Sequence, residues 1–312
     1  MIFAEARRLL ARRAFRVIGA LCLLAVIAAG VIVFTQSSKS LSASLPQAQQ
    51  IVNECRQSLH SGPTTVIRRG GVVVRAVDSC PTLHQAELMF DKRFKYTEAM
   101  KTTTQNVAIP LFFLAFAVAA SFVGAEWGTG MMTTTLTWEP RRGRVLLAKI
   151  VPAFVILGLA VAIVLAFMAV VFIPIGVFRG TTAGMNLAFW HHLSGLWLRA
   201  GLIAVFGAAL GIGLATLARN TVAALGIGFV YVSILDQLLR HLWNGRFAPW
   251  FLTYNLAGAM HMAVESPVRH TAFGPEVSEH LVSAAHPAVL LTVYGIGVLL
   301  AAYAAFRARD VT

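Results

Sequence analysis

Few side chains in this sequence have the type and spacing that catalysis or metal binding requires. Cys22, Cys55 and Cys80 lie too far apart in the sequence to form a cysteine cluster of zinc spacing. His191 and His192 are neighbours, and on a helix neighbouring side chains point about 100° apart, which suits chelation of one metal poorly. The G-x-x-x-x-G-K-[ST] phosphate loop and the H-E-x-x-H motif are absent from the sequence. The sequence therefore predicts a chain without catalytic residues, metal or cofactor of its own.

The remaining polar side chains belong to a very apolar chain. Hydrophobic residues make up 57% of the 312 residues and charged residues 12%, whereas a soluble domain usually carries about 25% charged residues. Such a composition favours lipid as the solvent. The net charge of +13 comes from cations that flank apolar runs, a pattern typical of orientation signals and lipid headgroup contacts. We therefore expect membrane lipids, and no nucleic acid, as partners.

Apolar runs along the chain predict six membrane spans, since a spanning helix needs about 20 mostly apolar residues. The first run, Val17–Phe34, has 18 residues and exceeds the roughly 7–15 of a cleavable signal core, so we interpret it as a retained anchor. The predicted fold is an all-α polytopic membrane protein. Its spans are predicted at 17–35, 106–125, 146–178, 192–218, 220–240 and 287–306.

The first 16 residues have the pattern of an amphipathic helix. At 100° per residue, Phe3, Leu10 and Val17 fall on one side and Glu5 and Arg12 on the other. We expect this helix, 1–16, to lie in the cytoplasmic membrane interface. The alternative is a simple positively charged flank of the first span.

The distribution of cations predicts the orientation of the spans. Arginine and lysine near the membrane are most frequent in the N-terminal segment, the tail 307–312 and the loops on the same side. Because cytoplasmic loops carry such an excess, we expect both termini in the cytoplasm. Segment 126–145 is then cytoplasmic, and segments 36–105 and 241–286 are extracytoplasmic.

Segment 36–105 is predicted to form a small α/β extracytoplasmic domain. Pro46–His60 and Leu83–Lys101 have helical patterns. Strands on either side of Gly70 and Gly71 predict a hairpin.

Cys55 and Cys80 both fall in this predicted domain. Two cysteines in an oxidising compartment favour a disulfide, with two free thiols as the alternative. A bridge would close 25 residues, and such a loop contributes roughly 3–4 kcal/mol of stability.

The other extracytoplasmic segment, 241–286, combines aromatic side chains with the largely apolar stretch Pro249–Met262. Its Trp243, Trp250 and Tyr254 suit the aromatic belt of the outer leaflet. We expect short interfacial helices here and not an extended loop.

Ionisable and small residues within the spans are the next candidates. Arg199 is an intramembrane polar candidate whose role, functional or structural, is evenly open. Asp236 and Arg240 are four residues apart and favour an ion pair that stays hydrated near the outer boundary. Gly207 and Gly211 predict close helix packing, either within the subunit or at a dimer seam.

Segment 126–145 is longer than a connection between spans requires. It mixes apolar and hydroxyl side chains with two tryptophans, and aromatic anchors are typical of a binding surface. Gly128 and Gly130 each weaken a helix by about 1 kcal/mol, so a helix in this segment should begin near Met131. The length and composition of segment 126–145 alone predict a cytosolic protein partner.

The same segment resembles the type-2 ABC transporter permease family, especially its actinobacterial members. The match covers Gly124–Gly130, Leu136–Arg142 and Leu147–Lys149 and extends over the whole chain, including Asp91–Phe94 and the turn at Arg219 and Asn220. The resemblance implies two six-helix subunits, as a homodimer or heterodimer, paired above cytoplasmic ABC ATPase subunits that bind ATP and Mg²⁺ in a bacterial plasma membrane. The ATPase-coupling residues that it implies are Glu126, Trp127, Thr129, Met131, Met132, Leu136, Trp138, Pro140, Arg141 and Arg142.

The function that follows from this resemblance is the permease subunit of an ATP-driven exporter. Segment 126–145 would form the coupling helix, and residues 1–16 the elbow helix. A non-transporting membrane sensor or immunity protein, with a ligand-binding extracytoplasmic domain, is the alternative from another class. A secondary transporter is a third hypothesis, but the spans lack the buried acidic relay that such proteins often use.

Overall fold

The computed structural model describes residues 2–39, 45–61, 66–69, 72–75, 80–89, 93–236, 238–239, 248–265, 269–271, 274–276, 279–281 and 285–308. This part of the chain is mostly helical. In chain order its elements are α1 (Ile2–Ala11), α2 (Arg13–Gln36), α3 (Leu45–Ser61), β1 (Val66–Arg69), β2 (Val72–Arg75), α4 (Leu83–Met89), β3 (Phe94–Lys95), α5 (Tyr96–Gly128), α6 (Met131–Trp138), α7 (Arg142–Arg179), β4 (Gly180–Thr181), α8 (Leu187–Ala218), α9 (Thr221–Val230), α10 (Leu252–Ala259), β5 (Ala263–Glu265), β6 (Arg269–Thr271), β7 (Gly274–Glu276), β8 (Glu279–Leu281) and α11 (Ala285–Ala308).

Five helices in the described residues are long and apolar enough to cross a membrane: α2, α5, α7, α8 and α11. The remaining predicted span, 220–240, begins as α9, and its helical path continues as a π-helical turn at Tyr231–Leu235. Because α9 alone is too short to span, the sixth crossing stays a prediction. The fold is therefore that of an all-α polytopic membrane protein with five candidate spans.

The helices extend beyond the apolar runs from which the spans were predicted. Helix α5 begins at Tyr96, well before residue 106, and α7 begins at Arg142, before residue 146. Hydropathy marks the apolar part of a helix, whereas its hydrogen bonds continue through polar residues. The N-terminal helix is shorter than the predicted 1–16, because the chain turns at Arg12, whose amide donates to the Leu9 carbonyl.

One compact unit consists of Met1–Val26, Met100–Met168 and Asn186–Thr312. Within it, α8 packs closely on α5, because a Cβ at Gly207 would lie 2.6 Å from the Phe112 carbonyl oxygen and one at Gly211 would lie 2.4 Å from that of Phe116. The predicted small-residue stripe is thus used for packing within the subunit.

The other unit consists of Ile27–Ala99 and Ala169–Met185. Helices α3 and α4 pack through Ala48, Val52 and Ala86, and the Cys55–Cys80 disulfide joins α3 to the residues before α4. Strands β1 and β2 form an antiparallel hairpin that pairs Arg69 with Val72. The predicted turn residues, Gly70 and Gly71, lie outside the described residues.

The prediction of one helix over Leu83–Lys101 is wrong. Helix α4 ends at Met89, and Phe94 and Lys95 form a strand that pairs in parallel with Gly180 and Thr181. Phe94 is buried and its ring meets Phe172 edge-on at 5.8 Å. Gly180 is required at this contact, since a Cβ there would lie 1.8 Å from the Phe94 carbonyl oxygen. Burial of one aromatic side chain therefore overrides the helical pattern.

The predicted segment 241–286 contains a 3-10 turn at Ala248–Trp250 and α10. The sequence did not predict the four short strands that follow, in which β5 pairs with β8 and β6 with β7, both antiparallel.

Asp236, the residue expected to stay hydrated, is fully buried. It accepts a hydrogen bond from the Thr253 hydroxyl. That expectation is therefore wrong for Asp236. Its predicted partner, Arg240, lies outside the described residues.

Candidate functional site

The candidate site is built around α6, the short helix between α5 and α7. Helix α5 ends at Gly128, and Gly130 adopts the left-handed conformation, with φ of 68°, which costs a glycine little. Helix α6 then begins at Met131, the position that the two glycines predicted. It ends at Trp138, where the Glu139 amide donates to the Thr135 carbonyl.

The two sides of α6 differ sharply in exposure. Trp138 is 87% exposed and Met131 is 46% exposed, whereas Met132 is 1% exposed. Met132 thus anchors the helix in the protein, and Met131 and Trp138 form an exposed apolar surface. We call these two side chains the α6 surface.

The threonine hydroxyls of α6 are bonded to the backbone of their own helix. Thr133 donates to the Gly130 carbonyl, Thr135 to that of Met131 at 2.9 Å, and Thr137 to that of Thr134 at 2.6 Å. Such back-bonding satisfies the donor locally. The hydroxyls therefore add little polarity to the face next to the α6 surface.

A buried ion cluster lies where α1, α5 and α7 meet. We define it by Glu5, Arg12, Glu126 and Lys149, two acids and two cations. The Lys149 ammonium lies 2.5 Å from a Glu126 carboxylate oxygen and donates to Glu5 at 3.2 Å. Arg12 lies 3.6 Å from the other Glu126 oxygen. The Glu126 contacts are ion pairs and not hydrogen bonds. Glu5 accepts hydrogen bonds from Lys149 and, on its other carboxylate oxygen, from Arg8 at 2.8 Å.

Neighbouring groups complete the cluster. The Phe122 ring centre lies 5.0 Å from the Arg12 guanidinium carbon and 5.4 Å from the Lys149 nitrogen, distances at which a ring face attracts cations. Arg12 also donates to the Ser121 carbonyl at 3.0 Å. Burial lowers the pKa of Arg12 from its usual value, while Glu126 and Glu5 act in the opposite direction. An arginine remains charged nonetheless.

The positions of these residues in the fold make the cluster a brace for α6. Glu126 occupies the last turn of α5 and Lys149 an early turn of α7, so they flank α6 in the sequence on both sides. Their ion pair ties the two helix ends together, and Glu5 adds α1 to the same contact.

A second set of contacts lies beside the cluster. The Trp127 ring meets Phe306 edge-on at 5.8 Å, and the Arg219 guanidinium carbon lies 4.9 Å from its centre. Arg142 donates to the Phe306 carbonyl at 2.8 Å and to the Arg307 carbonyl, near the end of α11. A cation at that position satisfies terminal carbonyls of a helix.

The predicted coupling residues therefore differ in how far their side chains are exposed. Glu126 and Met132 are buried and do not present their side chains to a partner, and Trp127 and Arg142 hold helix ends together. Leu136 is partly buried. The side chains that remain exposed are those of Thr129, Met131, Trp138, Pro140 and Arg141.

Sequence reasoning did not assign Glu5, Arg12 or Lys149 to the site. Glu5 was placed on the solvated side of an amphipathic helix, yet it is buried while Phe3 is exposed. The available signal was a single acid among the arginines of residues 1–16. The structure leaves Arg199 outside the cluster, beside a groove along α8.

The family to which this arrangement belongs follows from a comparison with known proteins. The family model described as ABC-2 family transporter protein matches residues 2–311. The chain belongs to the ABC-2 family. This confirms the resemblance drawn from Gly124–Lys149. The ABC-2 protein is thus the multi-pass membrane subunit, the permease, of an ABC transporter, and its family implies association with an ATPase subunit. Among curated proteins, no match to the chain was found.

Proposed function

We propose that this ABC-2 permease subunit acts in an exporter and receives its ATPase on the α6 surface. The observation that carries the proposal is the exposure of Trp138 and Met131 on a helix whose root, Met132, is buried. Tryptophan is enriched among the residues that dominate binding energy. A large ring left exposed on a short, anchored helix is suited to insertion into a groove of a partner.

The buried ion cluster supplies a route from that contact to the spans. Glu126 and Lys149 connect the ends of α5 and α7, so a push on α6 is passed to both long helices together. Glu5 passes the same displacement to α1. ATP-driven closure of the partner would act through these three helices, with ATP and Mg²⁺ bound by the ATPase and not by this chain.

The N-terminal helix supports a membrane arrangement for the proposal. Phe3 and Leu10 of α1 are exposed while Glu5 and Leu9 face the protein, which is the arrangement of a helix with lipid on its apolar side. We propose an elbow helix in the cytoplasmic interface, both termini in the cytoplasm, six spans, and a second permease subunit as partner in a bacterial plasma membrane.

The test is to substitute residues of the α6 surface and to leave the buried Met132 unchanged. Trp138→Ala and Met131→Glu are expected to lower ATPase affinity at least tenfold and to abolish stimulation of ATP hydrolysis by the permease, because an anchor residue costs about 2 kcal/mol or more. Co-purification and ATPase assays in proteoliposomes measure both effects. The thermal stability of the permease should stay unchanged.

Trp250→Ala is the matched control, since Trp250 is also an exposed tryptophan but lies in the predicted extracytoplasmic segment. Normal coupling in Trp138→Ala would remove α6 as the docking site. Failure of any ATPase to co-purify with the wild-type chain would favour a sensor or immunity protein. Uptake of cargo into inside-out vesicles would indicate export, and uptake into right-side-out vesicles would contradict it.

A further inference from the structure

A groove with a volume of about 540 Å³ runs along α8 and α11. Phe154 of α7 and the side chains of Leu202, Phe206, Leu291 and Leu299 line it. Its volume falls within the usual range of ligand sites, and its wall is almost wholly apolar. A chain of methylene groups suits such a wall.

Arg199 is the charged residue that lines this groove. The Nη1 atom of its guanidinium is buried and has no hydrogen-bond partner among the described residues. A buried donor without an acceptor is unfavourable, and more so when it carries charge. The groove therefore contains a guanidinium nitrogen, Nη1 of Arg199, that has no acceptor among the described residues. We call this site the Arg199 groove.

The surroundings of Arg199 add positive charge. Ala259, at the end of α10, also lines the groove, and His261 follows it by two residues. Burial lowers the pKa of His261, and Arg199, His192 and Lys101, which are cationic or able to become so, act in the same direction. The potential at this end of the groove favours an anion.

We propose that the Arg199 groove binds an anionic phospholipid, with its phosphate paired to Arg199 and an acyl chain along α8 and α11. The apolar wall accounts for the chain and the unpaired guanidinium for the phosphate, since arginine binds phosphate through its planar fork. Ala285, the first residue of α11, lines the same groove, so the charged end lies on the predicted extracytoplasmic side. Binding at this site does not require the ATPase, and the inference stands apart from the proposed docking on α6.

The test uses photo-crosslinking to the purified full-length chain in lipid nanodiscs. Phosphatidylglycerol and phosphatidylcholine, each with a diazirine in one acyl chain, are compared at equal mole fraction, and labelled peptides are identified by mass spectrometry. We expect phosphatidylglycerol to label the stretch of α11 from Leu291 to Leu299 and to exceed phosphatidylcholine about tenfold. Both lipids carry a phosphate, but the choline ammonium of phosphatidylcholine is repelled by the cationic groups around Arg199.

Two pairs of variants separate charge from shape. Arg199→Gln should reduce the preference for phosphatidylglycerol to about one, and Arg199→Lys should retain most of it. Ala288→Trp fills the groove and should lose labelling by both lipids. Val289→Trp is its control, because Val289 is the next residue on α11 and points outward; it should label as the wild type does.

Four results would overturn the proposal. The first is equal labelling by the two lipids in the wild type, and the second is an anionic preference that survives Arg199→Gln. The third is binding of a palmitate probe at this site without binding of phosphatidylglycerol, which would assign the groove to a single-chain carboxylate. Protection of Leu291–Leu299 by a second copy of the chain would likewise exclude lipid as its occupant.

Discussion

Two cations of this permease, Lys149 and Arg199, have opposite surroundings. Lys149 lies within 2.5 Å of Glu126 and 3.2 Å of Glu5 and is completely enclosed. Arg199 has a buried Nη1 atom without a partner in the described residues and lines an apolar groove. A buried cation that is paired with buried acids holds helices together. Removing either the cation or the acids leaves the remaining charge buried in a medium of low dielectric constant without a partner. An uncompensated charge leaves its attraction available for a ligand.

The largest effect should come from removing the compensated cation. Lys149→Met keeps much of the side-chain length but leaves Glu126 and Glu5 buried without the ammonium. Breaking a buried pair in this way costs about 3–5 kcal/mol. We expect that loss in the free energy of unfolding, measured by denaturant titration in mixed micelles. Lys101→Met, an exposed lysine on α5, should change stability by less than about 0.5 kcal/mol.

Removing both buried acids together with Lys149 should restore most of that loss, since the Arg12 side chain that remains is 26% exposed and can be hydrated. In the triple variant Glu5→Gln, Glu126→Gln and Lys149→Met no acid is left uncompensated, and replacement of a complete buried ion pair is often neutral. We expect stability within about 1 kcal/mol of the wild type. A triple variant as unstable as Lys149→Met would mean that packing, and not charge, holds α1, α5 and α7 together.

These contrasts show what the sequence could and could not predict. The positions of α2, α8 and α11 follow from apolar runs, and the start of α6 follows from Gly128 and Gly130, because hydropathy and glycine content act locally. The ion cluster depends on residues 5, 126 and 149, which are distant in the sequence and meet only through helix packing. Glu5 was assigned to solvent because helical periodicity separates two faces without stating which face meets the protein.

The helix predicted over Leu83–Lys101 is also interrupted by contacts between residues that are distant in the sequence. Phe94 leaves the helix because it packs on Phe172 and pairs with Gly180. That partner lies more than seventy residues away in the sequence, so local propensity could not reveal it. The exposure of Met131 and the burial of Met132 are likewise decided by packing. The α6 surface that we propose for docking is therefore smaller than the set of coupling residues that the resemblance implied.

Removing the Arg199 side chain should change the free energy of unfolding in the opposite direction from removing that of Lys149. Arg199→Met removes a guanidinium that has a buried, unpaired donor, so in detergent without anionic lipid the variant should be as stable as the wild type or more stable, by up to about 1 kcal/mol. Added phosphatidylglycerol should stabilise the wild type and leave Arg199→Met unaffected, because a ligand stabilises only the state that binds it. A loss comparable to that of Lys149→Met would show that Arg199 is compensated after all.

The smallest expected effect is the pH dependence of stability that His261 contributes. Burial lowers its folded pKa below the 6.5 of an unfolded histidine, so below about pH 6.5 the unfolded state binds more protons. The stability contribution is therefore present above pH 6.5 and is lost as the pH falls through the folded pKa. His261→Asn should remove this loss, since Asn tolerates the left-handed backbone, with φ of 54°, at that position.

The difference between wild type and His261→Asn in thermal scans from pH 7.5 to pH 5 isolates this residue from the other histidines. Protonation of His261 is unfavourable in the folded protein because burial desolvates the charged ring and, to a smaller extent, because Arg199, His192 and Lys101 repel it. A bound phosphate would offset that repulsion, so phosphatidylglycerol should reduce the pH dependence of the wild type. A pH dependence unchanged by the lipid would place the phosphate away from this end of the Arg199 groove.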